Sequence, residues 1–300
     1  MPPSENTSSP LVIDSHHHLW PARAVPTQSW QPPGQDILHR AYEPADLTAD
    51  LARAGVTGTV VMQSVDAPEE NDRLLSYAAE PFVRGIVAWA PLEDPARCRD
   101  LVSDLRARAD RSAAAPVVGL RRLIGTDPID WASDRTALAA FDEFAAAGLA
   151  WDVVPVTAAQ RETVVRVARA VPQLRIVVDH LGSPPLTDGE TDSWYRGLDA
   201  LAACPNVAVK LSVGVAVLAR AEHWPVEAVG SWVRAVLERF GPDRCMAASN
   251  WPVVLLQTDY ATAWDAVAAA AREVVPAAAL TDVLGGTATR WYALPGAGDE

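Results

Sequence analysis

Short runs of apolar, β-branched residues alternate along this chain with longer stretches rich in Ala, Leu and Arg at helical spacing. The runs predict eight strands, at Leu11 to His16, Gly58 to Gln63, Val83 to Ala90, Val117 to Leu123, Trp151 to Val156, Arg175 to His180, Val207 to Ser212 and Arg244 to Asn250. Helices are predicted between them: Pro44 to a stop at Gly55, Glu69 to Glu80, Pro95 to Ala109, Arg135 to a stop at Gly148, Ala158 to Ala170 behind a Thr157 cap, Trp194 to Ala203 and Pro225 to Gly241. After the last strand come Tyr260 to Glu273 and a shorter Ala277 to Leu284.

Eight strand-and-helix units in about 250 residues have the size and order of an α/β protein of the (β/α)8 TIM barrel class, whose chemistry sits at the C-terminal ends of the strands. The rival, an open doubly wound sheet, lacks support because the chain has neither GxGxxG nor GxxxxGK[ST]. One domain is expected over residues 11–294. Residues 1–10 are expected to form a disordered N-terminal segment and 295–300 a short tail. The stretch from Leu19 to Tyr42, with Pro21, Pro26, Pro32, Pro33 and Gly34, is too long for an ordinary connection and is a candidate lid.

A hydrophobic fraction of 49% permits a sizeable core, and a net charge of -13 disfavours nucleic acid or an anionic membrane surface as partner. A small-molecule substrate remains, and its charge is a local question for arginines. Cys98, Cys204 and Cys245 are odd in number with no CxxC pair, and there is neither a leader-like N-terminus nor a run of eighteen apolar residues. These features predict a soluble, cytoplasmic protein and leave its oligomeric state open, a homo-oligomer included.

Candidate chemistry lies at three strand ends. In Asp14-Ser15-His16-His17-His18-Leu19-Trp20, alternation points His16 and His18 to one face with Cβ atoms about 6 to 7 Å apart, close enough to converge on one ion or one oxygen. Alone, the triplet reads equally well as polar residues in a turn. Val177-Val178-Asp179-His180-Leu181-Gly182 ends an apolar strand in an ionisable pair, and Ala247-Ala248-Ser249-Asn250-Trp251-Pro252 ends the eighth strand in polar side chains.

Together these pieces resemble the amidohydrolase superfamily, in its sugar-lactonase-like branch of L-fuconolactonase-like, L-rhamnonolactonase-like and 2-pyrone-4,6-dicarboxylate lactonase enzymes. Val60-Val61-Met62-Gln63, Gly119-Leu120-Arg121-Arg122, Val209-Lys210-Leu211-Ser212 and Gly285-Gly286-Thr287-Ala288 add to the likeness, which runs from about Leu11 to Leu294. The resemblance implies a lactone bound at the barrel mouth and attacked by water. His16, His18 and His180 would activate its carbonyl, either through one divalent metal ion, zinc first, or directly without metal. Arg121 is the family-matched clamp for a substrate carboxylate or hydroxyl, although an interlayer salt bridge is an equal reading. Gln63, Lys210, Trp20 and Trp251 are further candidate substrate contacts, the tryptophans because several of them, Trp30 included, fall in or beside mouth loops.

One position departs from the resemblance. The related motif after the eighth strand is of a Ser-Asp-Trp-Pro type, whose aspartate deprotonates the attacking water, whereas this chain has Asn250. An amide cannot accept that proton near neutral pH. Three readings stay open: an introduced replacement in a lactone hydrolase, a non-hydrolytic enzyme on the same scaffold (cyclase, isomerase, lyase or decarboxylase), or a non-catalytic binder of small molecules. If hydrolysis persists, His180 or Asp66 must serve as base.

Overall fold

Eight parallel strands pair in chain order: β1 (Ile13–His17), β2 (Gly58–Met62), β3 (Val83–Trp89), β4 (Val117–Arg121), β5 (Ala150–Val153), β6 (Ile176–Val178), β7 (Val207–Leu211) and β8 (Cys245–Ala247). This computed structural model describes residues 11–112, 114–186 and 188–295, so the predicted N-terminal segment 1–10 and all of the predicted tail except residue 295 lie outside the described residues. A helix follows every strand, from Pro44–Ala54 after β1 to Tyr260–Val274 after β8, as a (β/α)8 barrel requires. The helix starts follow local chemistry. Proline occupies the first turn at Pro44 and Pro68, and Thr157 accepts from the Gln160 amide to cap Ala158–Ala170. Among the described residues no helix is long and apolar enough to cross a membrane.

The strands stop earlier than the apolar runs suggest. β6 ends at Val178 and β8 at Ala247, because His180 (φ 54°) and Asn250 (φ 56°) adopt the left-handed region, which cannot continue a strand. The predicted helix from Ala277 to Leu284 is also different. It divides into Ala277–Thr281, a wide turn over Asp282–Gly286, and a further helix, Thr287–Tyr292. That last helix carries Ala288 and Tyr292 under the barrel, where they pack with Ile13, Val60, Met62, Val177, Ala208 and Met246 of the interior. A larger apolar layer separates the sheet from the helices.

β1 and β8 close the ring through side chains and a single bridge rather than a regular ladder. His17 bridges Trp251, His18 N–H donates to Trp251 O at 2.7 Å, and Asn250 N–H donates to His16 O at 2.8 Å. Ser15 Oγ donates to Ala247 O, while Asp14 accepts from the Ser249 amide (2.9 Å), Ser249 Oγ (2.6 Å) and Tyr260 OH (3.2 Å). Burial pushes the Asp14 carboxyl up to about 6, despite those donors. The closure thereby sets Asn250 beside the histidine strand.

Gly285 lies under this seam with no room for a side chain, since a Cβ there would fall inside the Leu11 carbonyl. Gly285→Ala is expected to cost about 3 kcal/mol in urea unfolding, the upper end for overpacking. A loss below about 0.5 kcal/mol would show that the closing segment yields freely.

Candidate active site

At the C-terminal side of the strands opens a cavity of about 490 Å³, with His18, Gln63, Arg121, His180 and Asn250 among its lining residues. His16 lies beneath them, fully buried. The His16 and His18 rings meet edge to face with centroids 4.9 Å apart, and His180 stands 4.5 Å from His16. Residues separated by more than 160 positions thus share one floor.

Burial pushes all three imidazoles toward the neutral form: His180 down to about 3, His16 and His18 well below the ordinary imidazole value. The charge of Arg121 adds to the effect at His18, while Asp179 opposes it at His16 without prevailing. Hydrogen bonds then fix the tautomers. His18 Nδ1 lies 3.1 Å from Met62 O, which only accepts, so His18 carries its proton on Nδ1 and a lone pair on Nε2. That lone pair faces His16 Nε2 at 3.2 Å. His16 Nδ1 has two neighbours, Asp179 Oδ1 at 3.3 Å and Lys210 Nζ at 3.4 Å. When His16 donates to Asp179, two lone pairs oppose each other, an arrangement suited to a cation. When it accepts from Lys210, its Nε2–H donates to His18.

Below the histidines four charges are buried together. Lys210 Nζ lies 2.6 Å from Asp152 Oδ1 and 3.2 Å from Asp179 Oδ1, and Arg121 Nε lies 3.2 Å from Asp179 Oδ2. Two cations thereby offset two carboxylates. Burial alone would raise Asp179, but Lys210, His16 and Arg121 outweigh it and hold the carboxyl well below its ordinary value. Burial does raise Asp152, although it also accepts from Tyr292 OH at 2.5 Å. Gly119 makes space for this cluster, for a Cβ there would stand 3.0 Å from Asp152 Oδ2.

The amidohydrolase family profile matches residues 13–294. This chain belongs to the amidohydrolase family. It is 36% identical to an L-fucono-1,5-lactonase of Burkholderia ambifaria over 80% of both chains. With an L-fucono-1,5-lactonase of Burkholderia multivorans it shares 30% identity over 95% of this chain and 97% of that one. A solved amidohydrolase of Burkholderia multivorans superposes with a TM-score of 0.82 at 29% identity, covering 95% of this chain and all of that one. Its zinc-containing crystal form gives 0.80 at 28% identity with the same coverage.

Not every foreseen residue of the amidohydrolase reaches the cavity. Trp20 and Trp251 do not line it. Trp20 donates to Arg40 O and packs edge-on against Tyr42, which in turn packs against Trp251, so both tryptophans anchor the entry segment and the seam. Trp30, from the expected lid, does line the cavity, with its indole N–H on Ser64 O. Lys210 is fully buried in the charge cluster. Asp66 is held by Gln63 Nε2 and the Leu123 amide and does not line the cavity. Arg122, one residue past the end of β4, also lines the cavity.

Asp152 and Tyr292 were not singled out from sequence, and Asp179 and Ser212 entered only as members of their motifs. A lone aspartate inside the apolar strand β5 was a usable signal for Asp152; nothing local marks Tyr292. Among the described residues, His16, Asp179 and His180 also offer possible ligand atoms within 4.8 Å of one another. Asp179, however, already faces three partners, which suits it to orienting His16 rather than to ligation.

Asn250 donates through Nδ2 to Val213 O at 2.8 Å, which fixes the amide orientation. Its Oδ1 is buried without a partner among the described residues, as is Gln63 Oε1. Both residues line the cavity, and each keeps one acceptor unfilled.

Because breaking a buried ion pair strands its partners, Lys210→Met is expected to cost about 3 to 5 kcal/mol in chemical unfolding, with partial recovery on adding Asp152→Asn. A loss under about 1 kcal/mol would remove the cluster's structural role.

Proposed function

We propose that this amidohydrolase hydrolyses a small lactone, a cyclic ester, whose carbonyl sits against Arg121, His18 and His180. The observation carrying this reading is the convergence of uncharged imidazoles and a guanidinium at the cavity floor. The two Burkholderia relatives, both L-fucono-1,5-lactonases, support the ester class. Three free, buried cysteines support a reducing, cytoplasmic setting, with a small molecule as the partner.

Arg121 has its Nε at Asp179 and its Nη1 donating to Gln63 O at 3.2 Å, which leaves its remaining N–H groups for the carbonyl oxygen as charge develops there. Asn250 Oδ1 accepts a hydrogen bond from the attacking water and orients it. The water proton passes to His180 Nε2, whose ring is held by Ser212 Oγ at 2.9 Å from Nδ1, and then to the ring oxygen released when the acyl C–O bond breaks. The product is the open hydroxy acid. Burial makes His180 a weak base, with its conjugate acid at about 3.

The residues present also fit a divalent ion: the facing lone pairs of His16 and His18 in one tautomer, with His180 beside them, form a donor set suited to zinc. When bound, such an ion polarises the ester carbonyl as a Lewis acid. Without it, the Arg121 guanidinium supplies the polarising charge.

Asn250→Asp is expected to raise lactone hydrolysis by about 10²- to 10⁴-fold, the usual contribution of a general base. The gain grows with pH as the new carboxyl, raised by burial and by the Val213 carbonyl, ionises; product mass shows uptake of one water. A substrate turned over by the unaltered enzyme and not accelerated by this change would count against the water-activating geometry. Zinc added to metal-stripped protein is expected to raise Tm, and His18→Ala to abolish that increment; equal increments in both proteins would remove the histidines as ligands.

A further inference from the structure

The cavity is divided by chemistry. Gln63, Arg121, His180 and Asn250 line it as buried polar groups at or beyond the strand ends, whereas Ile124, Val154, Val156, Pro184, Val215 and Val217 supply much of its apolar lining. Several polar side chains that also border it are already committed. Ser64 Oγ donates to Glu70 Oε1 at 2.9 Å, Thr157 Oγ1 accepts from the Gln160 amide at 3.1 Å, and Arg122 Nε pairs with Glu93 at 3.2 Å. Glu190 and Arg220 are exposed residues of the rim.

A polyhydroxylated lactone seated here would bury hydroxyl groups against valine and proline side chains that offer no hydrogen bond, which costs free energy for each one. An alkyl or aryl substituent on the same walls gains from leaving water. Resting on the lactonase reading above, we propose that the substrate is an amphiphilic lactone: its ester ring occupies the polar floor and an apolar substituent runs along the wall formed by Val154, Val156 and Val215. The cavity, at about 490 Å³, falls within the range of sites that enclose drug-sized ligands, so a bare ring need not fill it.

A homologous series from δ-valerolactone to δ-decalactone, run beside L-fucono-1,5-lactone, tests this. The expected result is a kcat/KM that climbs about three- to fourfold per added methylene until the wall is covered, and that exceeds the value for the sugar lactone. Val154→Thr and Val215→Thr, which keep volume and add a hydroxyl, flatten the series. A flat series, or preference for the sugar lactone, overturns the inference while leaving the lactonase reading intact. If no lactone is hydrolysed, calorimetric binding of the matching δ-lactams decides: affinity rising with chain length upholds the amphiphilic ligand and sinks only the lactonase reading, whereas flat affinity overturns the inference.

Discussion

A lysine ammonium with no exposure to water sits between two aspartates in the middle of the barrel, and the arrangement of the site depends on that contact. Lys210 comes from β7, Asp152 from β5 and Asp179 from the end of β6, so one cation joins three neighbouring elements at the level where the interior changes from apolar to polar. Buried charges of this kind contribute little net stability, because desolvation offsets most of their attraction, but they tolerate few alternative positions. Asp179 passes the constraint upward to His16 and to Arg121. The imidazoles can therefore remain neutral without losing their orientation.

The second constraint is the join between β1 and the chain beyond β8. Side chains from the DSHHH and SNW stretches stitch that join, so the same short segments that close the ring also supply His16, His18 and Asn250. A closing contact and a reactive floor made from one set of residues leave little freedom to move one without the other. The amide of Asn250 is held from outside the join by Val213 O, against which a carboxylate oxygen would be repelled. That contact explains how an amide is accommodated where the resembled motif carries a carboxylate.

The eight strands, the single barrel and the family were legible because each rests on repetition or on nearby residues: apolar runs at regular intervals, proline and threonine helix starts, and motifs only a few residues long. The convergence of His16 and His18 was legible for the same reason, since two residues in one strand separated by one position share a face. Trp20 and Trp251 fall outside the cavity lining, a distinction hidden in the sequence because a tryptophan in a loop looks alike whether it faces a cavity or a neighbouring ring. The ends of β6 and β8 were placed too late because the left-handed turns that follow cut the strands short in ways their apolar composition does not register.

Sequence by itself determined what depends on local spacing: the order of strands and helices, the barrel class, and which strand ends carry ionisable groups. Tertiary structure decided everything that depends on separation through space. It chose which aspartate meets Lys210, turned Trp20 inward, brought Tyr292 beneath the barrel, and gave the cavity a polar floor under apolar walls. The physical reason is that hydrogen bonds and ion pairs act over about 3 Å, whereas the residues that make them here lie as far apart along the chain as Asp152 and Tyr292.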